Sequence, residues 1–206
     1  KPFLQQTEFR QALMLSINRQ AILDNLLLGQ GILANGPILP GNWAYYPDLG
    51  SYSYDPDSAA QRIAALGITR NEAGVMVTSE GVEVRLVLLV PQDTLHQQIA
   101  EQIKQGWEAV GISVDLLVEP HDQVVARLEA HDYDAARVDI DLSGTPDPDP
   151  YPFWAQSQAQ GGQNYSQWSN RAASEYLEQA RVTNDYELRT KLYRNFQILF
   201  HEELPS

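Results

Sequence analysis

Between Glu83 and Ile140 the spacing of hydrophobic positions switches repeatedly between period two and period 3.6, which predicts strand, helix, strand, helix, strand. Over 83–90, Val84, Leu86, Leu88 and Val90 share one face, while Val87 and Leu89 make the second half apolar on both. That is the pattern of a strand covered from both sides. From about 94 to 110 the period is helical, with Leu95, Ile99, Ile103 and Trp107 on one stripe, Thr94 as N-cap and Gly111 as stop. Alternation returns in Ile112, Val114, Leu116 and Val118. Two strands joined by a helical crossover are expected to be parallel. A second helix at about 122–130, carrying Val124, Val125 and Leu128, leads to a third strand at about 133–140. Ligands of open sheets sit outside the carboxyl ends of the strands, so the segment 141–150 is the first place to look for a site.

Two short helices are expected before this core, at about 8–15 (Phe9, Leu13) and 19–28 (Ile22, Leu26, Leu27), with Asn18 capping the second. A long irregular segment, 32–54, follows and carries Trp43, Tyr45 and Tyr46. Loops of that length are usually functional or disordered, and the aromatics argue against disorder. Trp43 therefore either faces a ligand or pins the loop to the domain. Asp55-Pro56-Asp57 starts a helix that runs to about Leu66, and 74–82 supplies a small strand or hairpin. Two helices, about 172–182 and 186–203, finish the chain, the last burying Leu188, Leu192, Phe196 and Leu199.

The chain has 206 residues, enough for one domain or one with a small appendage. It contains no cysteine, which excludes disulfides, thiolate metal sites and a cysteine nucleophile. A formal net charge of −13 is the opposite of a nucleic-acid binder's footprint, and nucleic acid is not expected as a partner. No apolar run approaches the roughly 20 residues of a membrane span. No signal-peptide pattern opens the chain, and both ends read as cut from something longer, so an excised domain is expected.

The acidic segment invites three chemistries. Asp139, Asp141, Ser143, Gly144 and Asp147 match an EF-hand loop, but Pro150 stands where the bidentate glutamate belongs and a strand precedes the loop. Asp141, Asp147 and Asp149 suit a paired-carboxylate hydrolase, but no partner histidine or second acidic motif accompanies them. The histidines (His96, His121, His131, His201) lack metal-ligand spacing. Aromatic and short polar side chains on loops at strand ends suit a binding site better, needing no metal, cofactor or catalytic residue.

The order of short motifs points the same way. Glu8-Phe9-Arg10-Gln11-Ala12-Leu13 with Ser16-Ile17-Asn18-Arg19-Gln20-Ala21-Ile22 resembles the opening stretch of the family 5 extracellular solute-binding proteins, the peptide- and nickel-type receptors of bacterial ABC importers. Gly36-Pro37-Ile38, Trp43-Ala44-Tyr45, Tyr54-Asp55-Pro56-Asp57, Gly111-Ile112-Ser113-Val114, Asp147-Pro148-Asp149 and Asn164-Tyr165-Ser166 continue it in order.

The resemblance implies an α/β lobe of type II periplasmic-binding-protein fold, with a central mixed or parallel sheet flanked by helices. Residues 1–206 would form a single ligand-binding lobe around a βαβαβ core at about 83–141, the first lobe of the receptor being absent. It implies an exported, non-enzymatic protein at the periplasmic or outer face of the cytoplasmic membrane, lipid-anchored at full length. Such a receptor captures oligopeptide or a related solute between two lobes and delivers it to ABC permease subunits. The implied ligand wall is Asp141, Leu142, Ser143, Thr145, Asp147 and Asp149, with Gln97 and Gln98 from the crossover helix and Trp43 from the long loop; Asn164 and Trp168 are further candidates. Dipeptide-binding relatives place an aspartate where this chain has Thr145 and an arginine where it has Gln97 and Gln98. An unpaired peptide terminus would be poorly compensated there, so longer peptides held by their backbone, or a neutral solute such as an oligosaccharide, are expected unless Asp141 or Asp147 substitutes. The carboxylate-dependent hydrolase and the calcium-binding module are the rival classes.

Overall fold

The computed structural model describes residues 1–142 and 147–206. A 3-10 turn (Pro2–Gln5) leads into α1 (Thr7–Leu15), which buries Phe9, Ala12 and Leu13 at helical spacing. Asn18 caps α2 (Arg19–Asn25) by accepting the Ala21 N–H at 2.9 Å. This helix ends short of Leu28, where the sequence placed its end. Leu28 and Gly29 turn left-handed (φ 52° and 72°), and the Gly29 N–H closes the last turn on the Leu23 carbonyl at 2.9 Å. No helix or strand follows until α3 (Pro56–Ala65), whose N-cap, Asp55, accepts both the N–H (2.9 Å) and the hydroxyl (2.7 Å) of Ser58. β1 (Thr69–Arg70) and β2 (Met76–Val77) form the small antiparallel hairpin.

The core is β3 (Arg85–Pro91), α4 (Thr94–Ala109), β4 (Ser113–Glu119), α5 (His121–Ala130) and β5 (Ala135–Ala136), with strand order β4-β3-β5, all parallel. Leu86 pairs with Val114 and Val90 with Val118, so the apolar faces of β3 and β4 coincide. Asp93, not Thr94, caps α4, accepting the His96 N–H at 3.0 Å. Gly111 ends that helix at φ 95°, a conformation that favours glycine. Along α4, Ile99 and Trp107 are buried but Leu95 is exposed, since it stands in the first turn. The third strand is shorter than 133–140. The Asp134 carboxylate takes the Val87 N–H at 2.9 Å, Ala135 and Ala136 pair with Leu88 and Leu89, and the Arg137 N–H donates to the Leu89 carbonyl at 2.8 Å.

The remaining elements are the one-turn α6 (Tyr151–Trp154), a 3-10 turn (Gln156–Gln158), α7 (Arg171–Val182) and α8 (Tyr186–Glu203). The buried stripe of α8 includes Leu192, Tyr193, Phe196, Gln197 and Phe200. Leu188, expected inside, is 47% exposed because it stands in the first turn of α8, and Leu199 is half-buried.

The chain divides into two compact units, Lys1–Leu33 with Tyr52–Val138, and Ala34–Ser51 with Asp139–Ser206. The first encloses the sheet, with Phe9, Ile63, Leu86, Val90, Trp107 and Ile112 in one core. The second is built on α7 and α8, with Trp154, Trp168, Leu177, Tyr193, Phe196 and Phe200 packed together.

In the first unit α4 crosses the end of α1 closely. A Cβ on Gly106 would lie 2.3 Å from the Ser16 carbonyl oxygen, and the neighbouring Trp107 indole donates to the Leu13 carbonyl at 3.1 Å. Gly106→Ala gains helix propensity of about 1 kcal/mol but overpacks against backbone. A net loss of about 1–2 kcal/mol is expected, read as a lower urea midpoint at unchanged slope.

Three carboxyls of this unit sit below their ordinary range: the exposed Asp55 through the Ser58 N–H, the exposed Asp93 through the His96 N–H, and the half-buried Glu119 through the Arg127 guanidinium. A depressed folded pKa contributes stability above the unfolded value and loses it as pH falls through the folded one. Thermal stability should therefore decline from about pH 5 downward. Asp55→Asn with Asp93→Asn, which keeps both caps but removes their titration, should flatten that decline; an unchanged acid profile would place its origin elsewhere.

Candidate functional site

In the second unit the segment after the third strand lines a cavity of about 320 Å³. Pro37, Ile38, Leu39 and Asn42 contribute from the long irregular segment, Ile140, Asp141 and Leu142 from the strand exit, and Asp147, Pro148, Asp149 and Pro150 from the proline-rich turn. Phe153 and Trp154 of α6 complete it. The lining is mostly apolar, with Asn42 and the three aspartates as its polar side chains.

The irregular segment is held in place by α8. Gln197 is fully buried; its amide donates to the Ala44 carbonyl at 2.9 Å and accepts the Tyr46 N–H at 3.3 Å. The Arg194 guanidinium lies 4.5 Å over the Tyr46 ring and donates to its hydroxyl at 3.0 Å. Trp43 stacks 4.8 Å from Tyr186 and 5.8 Å from Tyr193, with the Arg189 guanidinium 5.1 Å over its ring. Trp43 lines no part of the cavity, and these contacts are those of a side chain that pins the loop.

The acidic turn is held from behind in the same way. One nitrogen of Arg189, Nη2, donates to both Asp147 oxygens, at 2.9 and 2.8 Å, and Nε donates to the Ala180 carbonyl at 2.9 Å. The Asp147 contact raises the pKa of Arg189 further above its ordinary value. The Tyr193 hydroxyl donates to the Pro148 carbonyl at 2.6 Å, and burial pushes its pKa up. Arg181 pairs with Asp149 Oδ2 at 3.1 Å and lies 4.5 Å over the Tyr151 ring. Asp149 Oδ1 is buried with no hydrogen-bond partner among the described residues, so this carboxylate depends on Arg181. Two aspartates expected to meet a ligand thus direct their charge to α7 and α8 although they line the cavity with Pro148 and Pro150.

Of the other expected site residues, Asp141 and Leu142 line the cavity, whereas Ser143 and Thr145 lie outside the described residues. Gln97 and Gln98 belong to the first unit, in the first turn of α4, Gln98 exposed and Gln97 half-buried. Asn164 corrects the expectation. It is fully buried; its amide donates to the Ala155 and Trp168 carbonyls at 3.0 and 2.9 Å and accepts from Ser166 Oγ and the Trp168 N–H. With its donors and acceptor engaged inside the protein, it organises the 155–168 loop. Trp168 is buried too, its indole donating to Glu203 at 2.6 Å.

Sequence reasoning missed Arg181, Arg189 and Tyr193. The available signal was a basic residue one turn from the apolar stripe of α8, which needs an acidic partner when partly buried. Among the described residues no three histidine, aspartate or glutamate side chains gather as a cation site. A guanidinium also occupies Asp147, one of the aspartates the calcium loop would require.

Residues 1–164 match the family model described as bacterial extracellular solute-binding proteins, family 5 Middle. The chain is 27% identical over 98% of its length to the dipeptide-binding protein of Escherichia coli (strain K12). It is 28% identical over its whole length to di/tripeptide-binding protein 1 of Pseudomonas aeruginosa. It spans 37% of the length of each of these two relatives. The solved structure of the oligopeptide-binding protein AppA from Bacillus subtilis, in complex with a nonapeptide, superposes with a TM-score of 0.91 at 25% identity. That match covers the whole chain and 41% of AppA. The α/β architecture, a parallel sheet with flanking helices, is that of the type II periplasmic binding proteins, as the sequence motifs implied.

Asn164→Ala strands the Trp168 carbonyl and the Ser166 hydroxyl, and leaves the Ala155 carbonyl and the Trp168 N–H with one partner each, the Gln158 N–H and Ser166 Oγ. It should cost about 2–4 kcal/mol, measured by thermal unfolding, with the Trp168 emission shifted to the red as the loop loosens.

Proposed function

The chain belongs to the family 5 bacterial extracellular solute-binding proteins, and from that premise we propose that it is a ligand-binding lobe of an ABC-importer receptor. The observation that carries this reading is the cavity of the second unit, walled in part by residues 140–142 and 147–150 of the segment that follows the third strand in the chain, the segment where such folds receive their ligands. The 37% share of its relatives that the chain spans supports reading it as one lobe of a two-lobe protein. Solute would be enclosed between the lobes, closure being favoured by contacts made only in the closed state. The solute-loaded receptor, exported to the outer face of the cytoplasmic membrane, would then dock on permease subunits. No helix among the described residues is long and apolar enough to cross a membrane.

Oligopeptide is the proposed solute, following the dipeptide- and oligopeptide-binding relatives. The wall of the second unit supports a peptide gripped along its length more than one gripped by charged termini. Asp147 and Asp149 are both paired with arginines of the protein. Binding without turnover also suits this geometry, since a general acid–base pair needs carboxylates presented to the substrate.

Native mass spectrometry of the full-length protein as purified tests the reading. Adducts spaced by amino-acid residue masses are expected. Adducts in hexose steps would replace peptide by a neutral oligosaccharide, and an empty protein that captures no peptide from a mixed digest would sink the proposal.

A further inference from the structure

We propose that the cavity of the second unit is a subsite for an uncharged, apolar group of the captured solute, and that the Asp149–Arg181 pair keeps it so. The inference builds on the solute-binding reading and adds the chemistry of the group that enters. Ile38, Leu39, Leu142, Pro148, Phe153 and Trp154 make the wall apolar on several sides, and about 320 Å³ gives room for one side chain of leucine to tryptophan size. An anionic group would meet Asp141, Asp147 and Asp149 on the lining and, among the described residues there, no lysine, arginine or histidine to compensate its burial. A cationic group would compete with guanidinium groups already in place: Asp147 holds Arg189 through both oxygens, and Asp149 holds Arg181 through Oδ2. A third cation would have to displace a guanidinium held by ring and hydrogen-bond contacts. What remains favourable is burial of neutral, apolar surface.

The two arginines differ in accessibility, which makes the inference testable without dismantling the fold. Arg189 is 20% exposed and bonded to the Ala180 carbonyl, so its removal threatens the α7–α8 packing. Arg181 is 46% exposed in the last turn of α7, and its contacts are Asp149 and the Tyr151 ring. Replacing it leaves a carboxylate beside the cavity without its counterion. Arg181 is thus a positioning residue for charge, acting on the solute through Asp149.

The probes are two blocked amino acids that carry no charged terminus, N-acetyl-leucinamide and N-acetyl-lysinamide. Both are titrated into methyl-labelled protein while the Ile38, Leu39 and Leu142 signals are followed. In the unsubstituted protein the leucine probe should shift these methyls and the lysine probe should not. Arg181→Met should strengthen binding of the lysine probe relative to the leucine probe by about two- to fivefold, the range of a partly exposed ion pair. Arg181→Met with Asp149→Asn should abolish that gain. If the lysine probe binds the unsubstituted protein as well as the leucine probe, or neither moves these signals, the apolar subsite is wrong. If Arg181→Met weakens both probes equally, the residue is structural and the assignment of selectivity fails. A protein that takes the leucine probe here yet captures no peptide at full length would sink the peptide reading and leave the subsite standing.

Discussion

The contact on which the candidate site depends is the grip of Arg189 on Asp147. One guanidinium holds both carboxylate oxygens, donates to the Ala180 carbonyl and lies over the rings of Trp43 and Tyr193. It thereby ties together the acidic turn, the end of α7, the body of α8 and the irregular 34–51 segment. Each contact alone is of modest strength, and much of the value lies in their sharing one side chain, since ordering Arg189 for one partner orders it for all. Arg189 sits at low exposure without the penalty of an uncompensated charge because a carboxylate meets it.

The first unit follows a different constraint. β3 is apolar on both faces along its second half and must be covered twice, by α4 on one side and α5 on the other. That demand fixes a parallel crossover and brings α4 across the end of α1, where only a residue without a Cβ fits at position 106. The strand ends are thereby set, and the chain leaving β5 enters the second unit at Asp139.

A wall built from prolines, aliphatic side chains and paired acids offers shape and apolar area more than free charge, and apolar burial is non-directional.

Periodicity and capping chemistry made the βαβ core, the hairpin, α3, α7 and the position of the acidic turn legible in the sequence. Those features depend on interactions between residues close along the chain, such as Asp55 with Ser58 or Asn170 with Ala173. The shortened third strand was less legible, because Asp134 replaces a ladder bond by reaching Val87 across 47 positions. The roles of the aspartates were not legible at all. Asp147, Pro-rich neighbours and all, reads as a ligand contact until α8 returns Arg189 to it from 42 positions away, and Asn164 reads as one until burial engages every polar atom of its amide. The sequence by itself determined which elements form and where the chain turns, since local sterics and hydrophobic spacing decide both. Only the tertiary structure decided which polar side chains are left to face a solute, because a charge directs itself to the nearest opposite charge in space and not in sequence.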